Sequence, residues 1–306
     1  MRGSCLRLII AAGIIAMPFA VQAHDPPDLI LPAVQFPDGN TPIMDGNVDD
    51  WAPVPEQYAV FGEALYPVGK ATTEGRAQEF SSQGEIDASD MALKYLAGWN
   101  ESGNNVYWYT EVFDDLHISR RQDPSKFFWD DSVEYQFNYN HEANDDQNQG
   151  DLVTSVDYNY ALPPVDGAFE YYRPLKNLPW LVHGSRWIEL GWSFTGDAFG
   201  TSTYFYEFRI APIQSMPMSE DATESQVVEG DLSEGQIVHW GSMVNDVDET
   251  DGSFENREAQ WSMAASGGNA ADVTDVLLAP MDPSIVWGPV RSAVEATSWG
   301  RIKAQF

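Results

Sequence analysis

The sequence predicts an all-β protein, a β-sandwich of two antiparallel sheets with long loops. Three observations support this. Several short segments alternate apolar and polar residues with a period of two, and turn-rich connections separate them. No stretch beyond the N-terminal segment shows a sustained 3.6-residue apolar period. Aromatic residues make up 13% of the chain, and bulky rings suit the surface of a pleated sheet.

The first 23 residues predict a secretory signal peptide. Arg2 and Arg7 precede an apolar run that ends near Ala20, and small residues follow it before His24. The run is too short for a membrane-spanning helix, which needs about 20 apolar residues. We therefore expect an exported protein, periplasmic or extracellular, with no membrane insertion and with residues 24–306 as a single domain.

Charge and cysteine content exclude several classes of partner. Removal of residues 1–23 takes away two arginines and no acid, so the formal charge changes from −31 to −33. Such a field repels nucleic acid and anionic membranes and fits either surface adaptation to salt or calcium binding. The single cysteine, Cys5, lies in the signal peptide, so the mature chain has no disulfide and depends on a packed core.

The predicted strands follow one another along the chain. The clearest alternating segments are 106–113, 133–140, 187–194 and 204–210, and further candidates are 152–162, 235–244 and 259–264. In the second segment the apolar residues at 133, 135, 137 and 139 share one face, and Glu134, Gln136 and Asn138 share the other. This pattern predicts a half-buried strand.

Long polar connections separate these strands. They cover residues 63–91, 141–151, 163–180, 215–235 and 264–297. None is long enough to form a second domain. Loops of this size are uncommon without a function, so binding residues are expected in them.

Six motifs occur in a fixed order over about 43–303. They are MDGNVDDW at 44–51, WN at 99–100 with VYWYTEVFDD at 106–115, DSVEYQF at 131–137, YEFRIAP at 206–212, NDVDE at 245–249 with REAQWS at 257–262, and WGRI at 299–302. In this order they resemble the motifs of family 9 carbohydrate-binding modules. The resemblance implies a β-sandwich and a binding protein rather than an enzyme. Haem-binding DOMON domains share the same sandwich, so the fold alone does not decide the function.

The resemblance also implies a saccharide site. In that family two tryptophan rings hold a terminal sugar, because the C–H faces of a sugar stack on rings while its hydroxyls bond polar side chains. The first ring position corresponds to Phe128, with Trp129 beside it. Trp261 lies on the later strand and Trp287 in the loop that follows, and Arg257 is the polar partner of this set. The other motif tryptophans, at 51, 99, 108 and 299, are predicted to be core.

Calcium is the second ligand that the resemblance implies. A hard cation needs six to eight oxygen ligands, which clustered carboxylates and loop carbonyls supply. One predicted cluster lies at the ends of two strands and contains Asp114, Asp115, Asp130 and Asp131. The other lies in a tight turn and contains Asp246, Asp248 and Asp251. The alternative for both is a solvated, ion-free surface, and a bound ion would be structural.

Three other functions remain open. Haem binding requires axial ligands, for which Met216, Met218, His117 and His183 are available outside any recognised motif. A glycosidase requires a carboxylate pair, which 47 acids supply by chance, so their presence carries no information. A structural or partner-binding surface domain without a sugar site is the third alternative.

Overall fold

The computed structural model describes ten parts of the chain. They are residues 30–62, 88–118, 130–141, 148–149, 152–153, 155–161, 169–173, 178–248, 259–262 and 274–289. Of these, residues 148–149, 153, 155–161, 169–173 and 259–262 are described by their backbone. The predicted signal peptide lies outside these ranges and stays a prediction, as does the single domain. Within them, no helix is long and apolar enough to cross a membrane.

Sixteen strands and a few short 3₁₀ turns make up the described chain. The strands are β1 (Ile30–Gln35), β2 (Val60–Phe61), β3 (Met91–Asn100), β4 (Asn105–Asp114), β5 (Ser132–Asn138), β6 (Asn148–Gln149), β7 (Leu152–Val153), β8 (Ser155–Ala161), β9 (Phe169–Arg173), β10 (Ile188–Gly196), β11 (Ser202–Ile210), β12 (Ile213–Pro217), β13 (Val228–Glu229), β14 (Ile237–Asp246), β15 (Ala259–Ser262) and β16 (Thr274–Leu278). The 3₁₀ turns are Val48–Asp50, Glu56–Tyr58 and Glu224–Gln226.

The long strands form two layers. Sheet I has the order β10-β11-β4-β3, and sheet II has the order β16-β14-β5-β8-β9. Strand β2 pairs with β3, β15 pairs with β14, and a separate small sheet has the order β13-β12-β7-β6. The predicted all-β sandwich is therefore confirmed.

Strand β1 connects the two sheets. Its first residues pair with β16 of sheet II, from Ile30↔Asp275 to Ala33↔Leu278, and its last two pair with β3 of sheet I. Both pairings are parallel, whereas the other pairings between the long strands are antiparallel. The sheets are thus mixed rather than purely antiparallel as predicted, because one short strand runs along both.

The main core lies between the two sheets. Trp108 of β4 stacks on Trp240 of β14, with 3.6 Å between ring centroids, and Tyr135 of β5 stacks on Phe208 of β11 at 4.8 Å. All four side chains are buried. At the distance of the Tyr135–Phe208 pair, stacking adds about 0.5–1.5 kcal/mol to the burial of the ring area. These contacts join one strand of each sheet and fix how the layers face each other.

A second core lies on the outer face of sheet I. Phe36 packs edge-on against Trp51 at 5.2 Å, and Trp51 stacks on Tyr109 of β4 at 5.7 Å. The fully buried Glu207 of β11 joins the segment 46–51 to sheet I. Its carboxylate accepts hydrogen bonds from Trp51 Nε1 at 3.1 Å and from the Gly46 amide at 2.8 Å. Trp51, Trp99 and Trp108 are thus core residues, as predicted.

Two sequence expectations are wrong in detail. Strand β5 is not half-buried, because Glu134, Gln136 and Asn138 on its second face are at most 3% exposed. Alternation marks the two faces of a strand but does not report whether other parts of the protein cover the polar one. The segments predicted as loops at 163–180 and 264–297 contain strands β9 and β16.

Candidate metal centre

Three aspartates lie at the ends of strands, each continuing the row of side chains that faces the core. Alternate residues of a strand face the same side, so Asp114 continues the core-facing row of β4, Asp131 that of β5 and Asp246 that of β14. The strand ends are adjacent, since β5 and β14 are paired at Ser132↔Asn245. The three carboxylates therefore meet at one edge of the core, and each is at most 3% exposed.

We call this region the acidic edge. Its ligand atoms form three groups in which every atom lies within 4.8 Å of the others. The groups are Asp114, Asp246 and Asp248; Asp90, Asp115 and Asp248; and Asp114, His117 and Asp131. Asp248 belongs to two groups and Asp114 to two, so the acidic edge is one continuous set of ligands.

Backbone amides hold two of these carboxylates in place. Asp131 Oδ1 accepts a hydrogen bond from the Val247 amide at 2.7 Å, and its other oxygen accepts one from the Ile118 amide. Asp114 Oδ1 accepts from the Leu116 amide at 2.8 Å. The loops after β4 and β14 therefore wrap around the carboxylates, which are positioned before any ion binds.

The electrostatics favour a cation at this edge. Burial raises the pKa of Asp131 well above its usual value, and the nearby Asp114 and Asp246 raise it further. Burial, together with Asp114 and Asp131, also raises the pKa of Tyr204 to about 12. His117 Nδ1 lies 3.6 Å from both Asp114 and Asp131, and its ring packs on Tyr204 at 4.1 Å. A divalent cation would relieve the repulsion between these acids.

The structure brings together most of the predicted metal ligands. Asp114, Asp115, Asp131, Asp246 and Asp248 belong to the acidic edge, so the two clusters predicted separately are one. Asp130 is buried beside them but is in none of the three groups, and Asp251 lies outside the described residues.

Sequence reasoning missed Asp90 and did not assign His117 to this centre. Asp90 lies at the end of the predicted loop 63–91, and its carbonyl accepts a hydrogen bond from the Asp115 amide at 3.0 Å. Asp90 directly precedes β3, a strand that the alternation pattern did not predict, so no motif pointed to this residue. His117 follows three residues after Asp114, and its proximity to Asp131 depends on tertiary structure.

The predicted saccharide residues are only partly described. Phe128, Trp129 and Arg257 lie outside the described residues, and Trp261 is described by its backbone, paired with Val244. Trp287 is partly buried, and its ring lies 5.2 Å from Phe36 in the second core. Their role in sugar binding stays a prediction.

A cavity of about 590 Å³ lies over the outer face of sheet I. Apolar side chains that include Trp51 and Leu96 line it, with Tyr109, Lys94 and Glu111 among the polar groups. Tyr109 donates its hydroxyl hydrogen to Glu111 Oε2 at 2.9 Å. The cavity combines apolar walls with a few oriented polar groups, which is the general composition of a small-molecule site.

The residues considered for haem do not form a described group. His117 faces two carboxylates, and His183 Nδ1 accepts a hydrogen bond from the Leu190 amide at 3.1 Å. Met216 is buried, whereas Met218 is 41% exposed. Haem binding and the DOMON relationship stay predictions.

Several of the sequence motifs touch one another. Asn245 of the NDVDE motif donates hydrogen bonds to Ser132 Oγ at 2.8 Å and to Glu134 Oε1 at 2.9 Å, both in the DSVEYQF motif. Glu207 of the YEFRIAP motif accepts the bonds from Gly46 and Trp51 of the MDGNVDDW motif. Four of the motifs thus contact one another in two pairs, NDVDE with DSVEYQF and YEFRIAP with MDGNVDDW.

The chain is similar to several solved structures. Two are family 9 carbohydrate-binding modules from Caldicellulosiruptor kristjanssonii. The module in complex with cellotriose has 19% identity and a TM-score of 0.48 and covers 86% of this chain and 100% of its own. The module in complex with glucose has 16% identity and a TM-score of 0.45 and covers 84% and 99%.

A third similar structure is a Bacteroides uniformis protein described as carbohydrate-binding, with 11% identity, a TM-score of 0.44 and coverage of 81% and 98%. No family model matches the chain, and no curated protein does. Two of these structures are modules of the family whose motifs the sequence resembles.

Proposed function

We propose that the protein is an exported, non-catalytic carbohydrate-binding domain whose acidic edge binds structural calcium. The contact between sequence motifs carries the proposal. Asn245 bonds Ser132 and Glu134, and Glu207 bonds Gly46 and Trp51, so residues that resemble family 9 motifs also meet as partners.

The proposed saccharide site uses stacking rings and one cation. Phe128 and Trp129 lie outside the described residues, and in the sequence they immediately precede Asp130 and the strand β5. Trp287 packs on Phe36 in the second core. We therefore assign the first stacking surface to Phe128 and Trp129. Trp261 and Arg257 complete the proposed set. Rings supply apolar area for the sugar face, and a guanidinium orients its hydroxyls.

The proposed calcium site uses the acidic edge. At least five carboxylates, those of Asp90, Asp114, Asp115, Asp246 and Asp248, lie in two linked groups. Their oxygens are the hard ligands that calcium takes in sites of six to eight oxygens. The ion would close the edge of the core between β4 of sheet I and β14 of sheet II. We therefore assign calcium a structural role.

Isothermal titration calorimetry tests the saccharide site. The mature chain is titrated with a panel of oligosaccharides in calcium-containing buffer, with Trp129→Ala, Phe128→Ala and Phe199→Ala as variants. Phe199 is a matched control because its ring is exposed on the turn between β10 and β11. We expect heat of binding for at least one saccharide, a loss with the first two variants and no change with the control.

Three results would redirect the proposal. No heat for any saccharide would favour the structural or partner-binding alternative. Binding that survives both ring variants but is lost in Lys94→Ala would move the ligand to the cavity on sheet I, whose polar lining includes Lys94. An absorption band of bound haem in the purified protein would instead support the haem-binding alternative.

A further inference from the structure

Two histidines and one aspartate meet on sheet II, away from the acidic edge. His239 lies in β14 with β16 on one side and β5 on the other, and its register partners are Asp275 and Asn138. His141 follows β5 and has a left-handed backbone, with φ of 46°. This turn brings His141 back over the sheet, so that the three side chains form what we call the histidine cluster.

The nitrogen and oxygen atoms of the cluster converge on one point. His141 Nε2 lies 3.2 Å from Asp275 Oδ1, and His239 Nε2 lies 3.3 Å from the same oxygen. The two imidazole rings are 4.5 Å apart, and all three ligand atoms lie within 4.8 Å of one another. Ligands of a tetrahedral zinc ion, with bonds of about 2.0–2.1 Å, stand about 3.3 Å apart. The spacing from the carboxylate oxygen to each imidazole matches that edge length.

The burial of the cluster leaves one side open. The side chains of His239 and Asp275 are 1% and 6% exposed, whereas that of His141 is 32% exposed. A metal ion can therefore reach the cluster beside His141, and a water molecule can complete its coordination. Two neutral imidazoles and one carboxylate carry a net charge of −1, which a divalent cation more than neutralises.

The ligand types separate this cluster from the acidic edge. Imidazole nitrogen suits zinc, copper, nickel and iron, whereas calcium selects oxygen ligands. We propose that His141, His239 and Asp275 bind a divalent transition metal of the zinc class. The site holds the turn after β5 against β14 and β16.

Cobalt titration tests this site in the full mature chain. Protein stripped of metal is saturated with calcium, so that the acidic edge is occupied, and is then titrated with Co²⁺, whose visible spectrum reports tetrahedral nitrogen and oxygen ligands. We expect one equivalent of cobalt, displaced by zinc. His141→Ala and Asp275→Asn should weaken binding by at least about tenfold, the effect that loss of an outer-shell partner alone produces. His183→Ala, a histidine variant elsewhere on the surface, should leave it unchanged.

Three outcomes would overturn the proposal. The first is the absence of cobalt or zinc binding by the wild-type chain, which would leave the cluster as an ordinary hydrogen-bonded group. The second is an unchanged spectrum in His141→Ala, a variant that removes the most exposed of the three side chains and should fold. The third is loss of the spectrum in His117→Gln alone, which would place the metal at the acidic edge. Saccharide binding is measured separately, so failure here leaves the proposed function untouched.

Discussion

The two ends of strand β14 present different chemistry. Near its start, His239 joins His141 and Asp275, and at its last residue Asp246 joins Asp114 and Asp248. About 23 Å of extended strand separates His239 from Asp246, and the alternation of side chains places them on opposite faces. One end offers mixed nitrogen and oxygen ligands on the outer face, and the other offers oxygen ligands at the edge of the core. A single strand can thus contribute ligands to two sites that suit different cations, provided that its middle is rigid.

A change in the middle of β14 should disturb both ends at once. Trp240→Ala removes the ring that stacks on Trp108 at 3.6 Å, and we expect a loss of about 3–5 kcal/mol in the free energy of unfolding. Chemical denaturation measures the loss, and calcium and cobalt affinities should fall together. Trp180→Ala, which changes a partly exposed tryptophan, should cost less. Equal losses in the two variants would show that the stack does not stabilise the strand.

The pH dependence of stability should depend on Glu207, which belongs to neither end. Burial raises the pKa of Glu207 to about 8, with Asp50 and Asp45 adding to the effect. Since the folded value exceeds the unfolded one, its contribution to stability is present at low pH and is lost as the pH rises towards 8. Between pH 5 and 8 this loss amounts to about 3 kcal/mol.

The free energy of unfolding of the wild type and of Glu207→Gln is measured from pH 5 to 8 in the presence of chelator. The comparison isolates the contribution of Glu207 to the pH dependence of stability. The difference between the two curves should change with pH. A constant difference would mean that Glu207 has an ordinary pKa.

Calcium should act on one end only. At a concentration about 100 times its dissociation constant it should stabilise the fold by about 2.7 kcal/mol, or roughly 5–10 °C in the thermal midpoint. Asp248→Asn should abolish this gain, since Asp248 belongs to two groups of ligands. In chelator the same variant should be at least as stable as the wild type, because it removes one of the repelling charges.

The exposed Asp221 provides the control for the effect of Asp248→Asn on stability with calcium and in chelator. Asp221→Asn changes the net charge by the same amount and should respond to calcium like the wild type. An unchanged midpoint on chelation of the wild type would refute structural calcium. A full calcium response in Asp248→Asn would place the ion elsewhere.

The smallest expected effect concerns the polar contact beside the acidic edge. Asn245→Ala removes the hydrogen bonds to Ser132 and to the buried Glu134 carboxylate. We expect a loss of about 1.5 kcal/mol, typical of a hydrogen bond to a charged group. The exchange of Glu134 for Gln in the same background should recover part of it, because a neutral amide is less costly to bury. Independent, additive losses would show that the two residues do not interact.

The sequence predicted strands with clear alternation and missed those without it. Strands β4, β10, β11 and β14 lie within two residues of their predicted bounds. Strand β3 was missed because Ala92 and Leu96 occupy its outer face beside the inward row, which hides the period of two. Strand β1 contains Pro32, which is unusual in a strand that pairs on both sides, and β16 is only five residues long.

The candidate sites were predictable in composition but not in assembly. Clustered aspartates suggested calcium ligands near 114, 131 and 246, because short spacing brings carboxylates together locally. The union of these clusters depends on how β4 and β14 pack across the core, which no local pattern encodes. The histidine cluster had no signal at all, since its three members come from separate segments. Sheet register brings His239 beside Asp275, and the turn after β5 brings His141 to them.

The parallel pairing of β1 has a consequence for how the protein is made. Residues 30–33 lie near the beginning of the chain, yet their partners in β16 are about 245 positions later. A chain emerging from a ribosome or a translocation channel can form the β3–β4 hairpin early but cannot join its sheets through β1 until residue 278 is free. Until then the two sheets lack their connection through β1, and unpaired strand edges of this kind make an unfinished chain prone to aggregation.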